Sequence, residues 1–262
     1  MYFVTLCNLK KPYGTLCNLI MRKIFSYPNS LRRISTHYCP GCGHGIVHRL
    51  VAEIVDELNI RDKVIAIAPV GCAVLAYDYW DFDGCEAAHG RALAVATGIK
   101  RVRPENIVFT YQGDGDLAAI GTCETIHAAN RGENLTVIFI NNAVYGMTGG
   151  QMAPTTLVGQ ETATTPWGRD ARIAGHPLRI SELLAELPAV RYIERVGVFS
   201  PREIIRAKKA IKQAFLNQIE NLGFSLVEVL SPCPTYWHKT PKQAMDWIRD
   251  VMSKEFPLGR IK

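Results

Sequence analysis

Short apolar runs rich in β-branched residues alternate with longer segments of helical character along most of the chain. The runs at 64–69, 107–111, 135–140 and 224–230 are bounded by polar or turn-forming residues, as buried parallel strands usually are. The sequence also predicts a strand over 192–196 and helices over 44–58, 91–102, 117–131 and 201–218. This alternation predicts an α/β fold with a mostly parallel sheet that carries helices on both faces.

Acidic and amide side chains follow two of the predicted strands. The sequence GDGD at 113–116 follows one strand, and NNAVYG at 141–146 follows the next. Ligands of open α/β sheets bind at the carboxyl edge, where Asp114 and Asn142 would both lie. Their oxygens suit Mg²⁺ shared with a phosphate, and the helix predicted to open at Asp116 directs backbone N–H groups toward such an anion. Ordinary strand-to-helix turns are the alternative, because Gly, Asp and Asn are common in turns.

The two motifs together resemble the diphosphate-binding motif of thiamine diphosphate enzymes. The resemblance implies that the side chains of Asp114 and Asn142 and the backbone carbonyl of Val144 hold Mg²⁺ against the diphosphate. It also implies that the other residues of both motifs contact the cofactor: Gly113, Gly115, Asp116, Tyr145 and Gly146. The expected fold is therefore the diphosphate-binding domain of that enzyme class.

The composition is that of a chain with one substantial core and a neutral body. The 262 residues are 48% hydrophobic, and the formal net charge is +6. Residues 1–36 contain six basic residues and no acidic residue, so the remaining 24 basic and 24 acidic residues balance. A nucleic-acid-binding domain should carry a basic face on its folded part, and we expect none here. No apolar run approaches 18 residues, so a membrane span is not expected either.

The N-terminal segment differs from the rest of the chain. Residues 5–9 and 15–19 both read TLCNL, and the continuous apolar core of a secretory signal is missing. We expect a cytoplasmic protein whose true start is Met21. The expected organisation is an extension over 1–36, a cofactor-binding domain over 37–235, and a tail over 236–262 that either contacts another subunit or is solvated.

Four of the cysteines are candidates for one metal centre. Thiols of a cytosolic chain stay reduced, so metal ligation is favoured over disulfides. Cys39 and Cys42 form a CxxC sequence before a predicted helix, while Cys72 and Cys233 each follow a predicted strand. Such a set would suit an iron–sulfur cluster or zinc.

Other cysteines and two histidines have more ordinary interpretations. Cys85 remains a competitor for the third ligand position, whereas Cys123 falls in a predicted helix, where a small buried thiol is usual. His44 and His48 are four residues apart on a predicted helix, but no third ligand has a suitable spacing. We therefore expect both histidines to serve in packing or at an interface.

The order of the motifs is similar to that of the β subunit of 2-oxoacid:ferredoxin oxidoreductases. Over about residues 30–235, GDGD and the NN motif stand among HYCPGCGHG (37–45), VGC (70–72), HGR (89–91), ATGIK (96–100) and SPC (231–233). This resemblance implies that four thiolates hold a 4Fe–4S cluster: Cys39, Cys42, Cys72 and Cys233.

The HGR motif has a role that is implied less directly. It follows an acidic loop and opens the helix predicted over 91–102, so His89, Gly90 and Arg91 are candidate cofactor or substrate contacts. A histidine at a helix start and a surface arginine are the alternative.

The family resemblance implies oxidative decarboxylation of a 2-oxoacid, with coenzyme A taking the acyl group and ferredoxin the electrons. An α subunit would supply the pyrimidine-binding domain and its catalytic Glu, with γ and ferredoxin-like δ subunits as further partners. Two alternatives stay open. One is half of a non-oxidative thiamine diphosphate decarboxylase or synthase, and the other is a structural subunit with a Cys₄ zinc site.

Two departures from the family pattern bear on the substrate. Many relatives carry Ser-Ser and a basic residue after the third cysteine, where this chain has Ala73, Val74 and Leu75, and many carry Lys where Gly149 stands. With Met147 nearby, these residues predict an apolar pocket. We therefore expect a branched-chain 2-oxoacid such as 2-oxoisovalerate, with 2-oxoglutarate as the second choice.

Overall fold

The computed structural model describes residues 2–4 and 22–262, with side chains from residue 26 onward. Its strands are β1 Tyr2–Val4, β2 Arg22–Phe25, β3 Val64–Pro69, β4 Asp83–Ala87, β5 Ile107–Gly113, β6 Thr136–Asn141, β7 Val144–Tyr145, β8 Gln151–Met152, β9 Val190–Gly197, β10 Phe224–Leu230 and β11 Gly259–Arg260. Its α-helices are α1 His44–Leu58, α2 Ala76–Tyr79, α3 Ala92–Val102, α4 Thr122–Asn130, α5 Ala171–Ala174, α6 Ile180–Ala185, α7 Pro201–Ile219, α8 Pro241–Trp247 and α9 Ser253–Glu255. A 3₁₀ turn covers Arg61–Lys63, and π-helical turns cover Asp116–Ile120 and Ile248–Met252.

A seven-stranded sheet organises the molecule, with the strand order β11-β9-β10-β6-β5-β3-β4. All neighbouring pairs are parallel except β11 with β9. From β3 the chain moves outward to β4 and then returns to place β5 on the other side of β3. The direction of winding therefore reverses between β3 and β5, and such a switch point leaves a crevice at the carboxyl edge of the sheet.

Apolar side chains cover both faces of the sheet. Phe109 and Ile138 pack with α1 and α7 on one face, and Val108 and Phe139 pack with α3, α4 and α6 on the other. This alternation follows from the two-residue period of a strand, and burial on both faces explains why the strands are nearly continuous apolar runs. Among the described residues, no helix is both long and apolar enough to cross a bilayer.

The expected α/β architecture is confirmed, as are the predicted strands and most of the predicted helices. The helix expected over 117–131 differs, because a π-helical turn is followed by a break at Gly121 and then by α4. The Gly121 N–H reaches back to the carbonyl of Asp116 at 2.8 Å. A methyl group on Gly121 would lie 2.8 Å from the carbonyl oxygen of Gly90. The close approach of that neighbouring loop interrupts the helix.

The end of the expected N-terminal extension is packed on the domain. Ser30 is buried, and its N–H and hydroxyl both donate to Asp56 Oδ1, at 3.1 and 2.6 Å. Leu31 forms an isolated antiparallel bridge with Trp80. Both TLCNL sequences and Met21 lie outside the described residues, so the start at Met21 stays a prediction.

Residues 236–262 form a folded part of the domain. Trp237, Ile248, Met252 and Phe256 are buried in a small apolar cluster with Leu230. The segment ends in β11, which adds an antiparallel edge to the sheet. The solvated-tail alternative is wrong for this reason, and the expected subunit contact stays a prediction.

Removal of one aromatic ring should test whether this segment belongs to the core. Phe256 is fully buried, so Phe256→Ala should lower the free energy of unfolding by about 3–5 kcal/mol through lost burial and an unfilled cavity. Trp167 is 96% exposed, and Trp167→Ala should change it by no more than about 0.5 kcal/mol. Urea denaturation measures both. Equal small effects would mean that the segment contributes little to the core.

Candidate functional site

A cavity of about 490 Å³ lies at the carboxyl edge of the sheet, at the switch point. Its wall is built largely from the loops that follow β3, β5 and β6. Residues 70–73, 113–116 and 144–148 contribute, together with the side chains of His89 and Asn142. The cavity therefore contains both motifs that the sequence singled out.

Asp114 is held at the floor of this cavity, at the end of β5. Its Oδ1 accepts from the N–H of Gly115 at 2.9 Å, and its Oδ2 accepts from the Thr155 hydroxyl at 2.6 Å. The side chain is only 2% exposed, and burial raises its pKa from 3.8 to about 6. A nearby cation would offset the cost of the buried charge and favour the carboxylate.

Asn142 and Val144 lie on either side of a left-handed turn at the end of β6. Ala143 has φ of 58°, an uncommon conformation for a residue with a side chain. The indole N–H of Trp237 donates to the Asn142 carbonyl at 3.0 Å, and the Val144 N–H donates to Asn142 Oδ1 at 3.2 Å. A buried carboxylate beside amide and carbonyl oxygens fits Mg²⁺ that is shared with a diphosphate.

Asp116 also lines the cavity, and both of its carboxylate oxygens are held by neighbouring donors. Its Oδ1 accepts from the Gly90 N–H at 2.5 Å, and its Oδ2 accepts from Gln112 Nε2 at 2.6 Å. Burial raises its pKa, and the two donors counteract that effect. Asp116 therefore ties the loop containing Gly90 to the turn after β5.

His89 and Arg91 of the HGR motif lie in different surroundings. His89 lines the cavity, and its Nδ1 lies 2.7 Å from the Val70 carbonyl oxygen and 3.3 Å from Asp116 Oδ1. Nδ1 is thus the donor, which leaves Nε2 free of these contacts. Arg91 instead forms an ion pair with Glu124 on α4 and is absent from the described cavity wall. The structure thus places Arg91 outside the described cavity wall, and its role as a cofactor or substrate contact stays a prediction.

The second loop is packed tightly against the first. A methyl group on Gly115 would collide with the ring of Tyr145, whose hydroxyl is 3.5 Å from the Gly115 carbonyl oxygen. Tyr145 and Gly146 both line the cavity, as do Gly113 and Gly115. The glycine at 115 is required here because two loops approach each other at the site.

The four candidate cysteines meet beside this cavity. The loop that contains Cys39 and Cys42 packs on the segment before Cys233, since the Gly43 N–H donates to the Pro232 carbonyl at 3.3 Å. A methyl group on Gly146 would lie 3.1 Å from Cys72 Sγ and 4.0 Å from Cys233 Sγ. Cys72 also lines the cavity itself. Three separate segments thus bring their thiols to one place.

The surroundings of three of the four thiols favour the protonated form in the absence of a metal. Burial, aided by the neighbouring cysteines, raises the pKa of Cys42 to about 11 and those of Cys72 and Cys233 to about 12. Within residues 26–262, no three His, Cys, Asp or Glu side chains converge as one metal ion requires. A cubane cluster binds each thiolate through a different iron, so its four ligands are spread apart.

The remaining described cysteines are elsewhere. The Cys85 thiol donates to the carbonyl of Glu86 at 3.2 Å and is partly buried on the edge strand β4. Cys123 is exposed, so the prediction of a buried thiol was wrong. The sequence period did not reveal the break at Gly121, after which α4 begins. Cys7 and Cys17 lie outside the described residues.

His44 and His48 belong to an aromatic cluster, and their predicted packing role is confirmed. His44 Nδ1 is 2.6 Å from the Tyr111 hydroxyl, and His48 stacks on Trp80 with ring centroids 4.2 Å apart. Burial lowers the pKa of His44 to about 3, so its ring is neutral. His44 additionally lines the cavity, which the sequence analysis missed. Its position two residues after the candidate ligand Cys42 was the sequence signal that could have placed it near the site.

Comparisons with known proteins agree with this geometry. The profile of the family described as thiamine pyrophosphate enzyme, C-terminal TPP-binding domain, matches residues 69–229. The solved structure of 2-oxoglutarate:ferredoxin oxidoreductase from Magnetococcus marinus superimposes with a TM-score of 0.74 at 29% identity, covering 87% of this chain and 74% of that one. The 2-oxoglutarate synthase subunit KorB of Archaeoglobus fulgidus is 40% identical, over 83% of this chain and 77% of the relative. The chain belongs to the 2-oxoacid:ferredoxin oxidoreductase family.

A second group of relatives within the family is more similar in sequence. The ketoisovalerate oxidoreductase subunit VorA of Methanothermobacter thermautotrophicus is 52% identical over 251 residues, which is 92% of this chain and 53% of the relative. The chain thus spans about half the length of the VorA proteins it matches. The expected family and the thiamine diphosphate-binding fold are both confirmed.

The assignment of the metal ligands predicts a loss of cofactor binding. Asp114→Ala and Asn142→Ala should each weaken Mg²⁺-dependent binding of thiamine diphosphate by about 100-fold or more, since even outer-sphere partners contribute 10–100-fold to metal affinity. Titration of the assembled complex with cofactor and Mg²⁺ measures this. Asn106→Ala is the control, because Asn106 is as buried as Asn142, at 7% exposed. It directly precedes β5 and therefore lies at the amino edge of the sheet, opposite the cavity. Unchanged affinity in either test variant would remove the assignment.

Proposed function

We propose that this chain is the thiamine diphosphate-binding subunit of an enzyme that oxidatively decarboxylates a branched-chain 2-oxoacid such as 2-oxoisovalerate. The products are an acyl-coenzyme A and CO₂, and ferredoxin takes the electrons. Mg²⁺ is held by Asp114, Asn142 and the carbonyl of Val144. A 4Fe–4S cluster is held by Cys39, Cys42, Cys72 and Cys233.

The observation that carries this proposal is the position of Cys72. Its thiol lines the same cavity as Asp114 and Asn142, and Gly146 places it close to Cys233. A cluster bound there would lie next to the cofactor, as transfer of electrons from substrate to cluster requires. A non-oxidative decarboxylase would have no use for four thiols at that position.

The chain's own residues have defined tasks in this reaction. Bound thiamine diphosphate would supply the nucleophile and electron sink for decarboxylation, and the cluster would take electrons singly. Asp114 and Asn142 fix the diphosphate end through the metal ion. Val70, Ala73 and Ile120 give the cavity an apolar wall.

A partner subunit completes the site. The family profile matches only the diphosphate-binding domain of the cofactor site, and no acidic side chain among the described residues lines the cavity apart from Asp114 and Asp116. We therefore assign the pyrimidine-binding domain and its catalytic Glu to an α subunit. Further γ and δ subunits, ferredoxin and coenzyme A are the remaining partners of the proposal. The Magnetococcus relative was solved with 2-oxoglutarate, coenzyme A and succinyl-CoA bound.

The cavity supports an apolar substrate. Ala73 and Met147 line it as expected, but Val74, Leu75 and Gly149 are absent from the described wall. No lysine or arginine of the described residues lines it, and the buried ring of His44 is neutral. A distal carboxylate would thus find no cation from this part of the chain, while a branched aliphatic group gains about 1.5–3 kcal/mol on burial. The similarity to the ketoisovalerate relatives supports the same choice.

Cluster ligation is tested by the iron content of an anaerobically purified complex. Cys39→Ser, Cys42→Ser, Cys72→Ser and Cys233→Ser should each lose or destabilise the visible absorption of a 4Fe–4S cluster, because thiolate is its preferred ligand. Cys85→Ser and Cys123→Ser are matched controls and should retain both iron and absorption. A complex that contains zinc and no iron would refute the cluster. If Cys85→Ser lost the cluster and Cys72→Ser retained it, the third ligand would be Cys85 and not Cys72.

Substrate choice is tested by kcat/KM of the whole complex with a viologen acceptor. 2-Oxoisovalerate should exceed 2-oxoglutarate by about tenfold or more, since burial of an unpaired carboxylate costs several kcal/mol. Ala73→Lys should shift the ratio toward 2-oxoglutarate by offering a cation to the cavity. A wild-type preference for 2-oxoglutarate would show that a partner subunit supplies the cation.

A further inference from the structure

Asn141 is buried and directly precedes the proposed metal ligand Asn142. Both the oxygen and the nitrogen of its side-chain amide make hydrogen bonds. Its Oδ1 accepts from the N–H of Ala143 at 3.2 Å, which closes the left-handed turn at φ 58°. Its Nδ2 donates to Glu228 Oε1 at 2.8 Å. A left-handed alanine is disfavoured in isolation, so the surrounding contacts must hold it.

Glu228 is a fully buried carboxylate at the centre of the sheet. It lies beside Arg195 in the parallel register of β10 and β9, and Arg195 Nε donates to its Oε2 at 2.8 Å. The Ser181 hydroxyl donates to the same oxygen at 2.5 Å. Both partners of the ion pair are 1% exposed. The second oxygen, Oε1, is thereby left for Asn141.

Arg195 joins this pair to the C-terminal segment. Its terminal nitrogens donate to both oxygens of Glu182, at 2.8 and 2.6 Å, and to the carbonyl of Pro257 at 3.1 Å. Desolvated ion pairs contribute little net stability compared with apolar packing. What this pair does provide is one fixed orientation of the Glu228 carboxylate.

We propose that Glu228 is a positioning residue of the metal site. Arg195 and Ser181 fix its carboxylate, its Oε1 orients the amide of Asn141, and that amide holds the turn that presents Asn142 and the Val144 carbonyl to the cation. This inference rests on the proposed function, because it requires a divalent cation at Asp114 and Asn142. The role belongs to the hydrogen-bond acceptor Oε1 of Glu228 and not to the negative charge of its carboxylate.

Two substitutions separate the oxygen from the charge. Glu228→Gln and Glu228→Leu both remove the ion pair with Arg195. Only the glutamine keeps an oxygen that can accept from Asn141 Nδ2, and its NH₂ group can then donate to the Ser181 hydroxyl oxygen. Both variants should lower the melting temperature of the complex. Glu228→Leu should also raise the dissociation constant for the divalent cation at least tenfold, whereas Glu228→Gln should change it less than about threefold.

Two further variants control for folding. Asn141→Ala leaves the ion pair intact and should match the loss of cation affinity in Glu228→Leu, so it decides the matter if Glu228→Leu does not fold. Gln218→Met removes another buried polar side chain, which donates to the Val108 and Asn134 carbonyls at 2.7 and 2.9 Å, away from the cavity. It should leave the cation affinity unchanged.

The measurement is a Mn²⁺ titration of the assembled complex with saturating thiamine diphosphate, read by the electron paramagnetic resonance signal of free Mn²⁺. It needs no turnover. Wild-type affinity in both Glu228→Leu and Asn141→Ala would overturn the positioning role. A wild-type complex that binds no Mn²⁺ would refute the proposed function instead.

Discussion

Parallel hydrogen bonding between β3, β5, β6 and β10 is the constraint on which the site depends. Because the strands run in the same direction, the segments that follow them emerge at one edge of the sheet. Cys72, Asp114, Asn142 and Cys233 each follow one of these strands. Residues up to 161 positions apart in sequence are thereby brought to one edge of the sheet.

Burial of polar groups sets the chemistry at that edge. Asp114, Asp116 and Glu228 are all nearly inaccessible to water, and each is held by donors from neighbouring segments. For Asp114 the donors do not fully offset desolvation, since its pKa stays raised, to about 6. The negative charge of Glu228 is instead balanced by the guanidinium of Arg195, whose Nε lies 2.8 Å from Glu228 Oε2. Asp114 therefore has no cationic partner among the contacts described, whereas Glu228 has one.

Glycines determine how closely the loops of the site approach. Gly43 has no room for a side chain against Ser231 and Pro232, which lets the CxxC loop reach the segment that carries Cys233. Gly146 similarly admits the thiols of Cys72 and Cys233 beside the second loop of the metal motif. The candidate cluster and the candidate cofactor site share a wall for this reason.

The sequence by itself determined the fold class and the strands that carry the site, because two-sided burial leaves continuous apolar runs bounded by polar residues. It also determined which residue types stand at the strand ends, and the motif order sufficed to indicate the family. Tertiary structure alone decided where side chains point after each turn. Arg91 is drawn to Glu124, Cys123 is exposed beyond the break at Gly121, and His44 lines the cavity. It also decided that residues 236–262 fold onto the sheet, because Arg195 donates to the carbonyl of Pro257, 62 residues away, and no local pattern records such a contact.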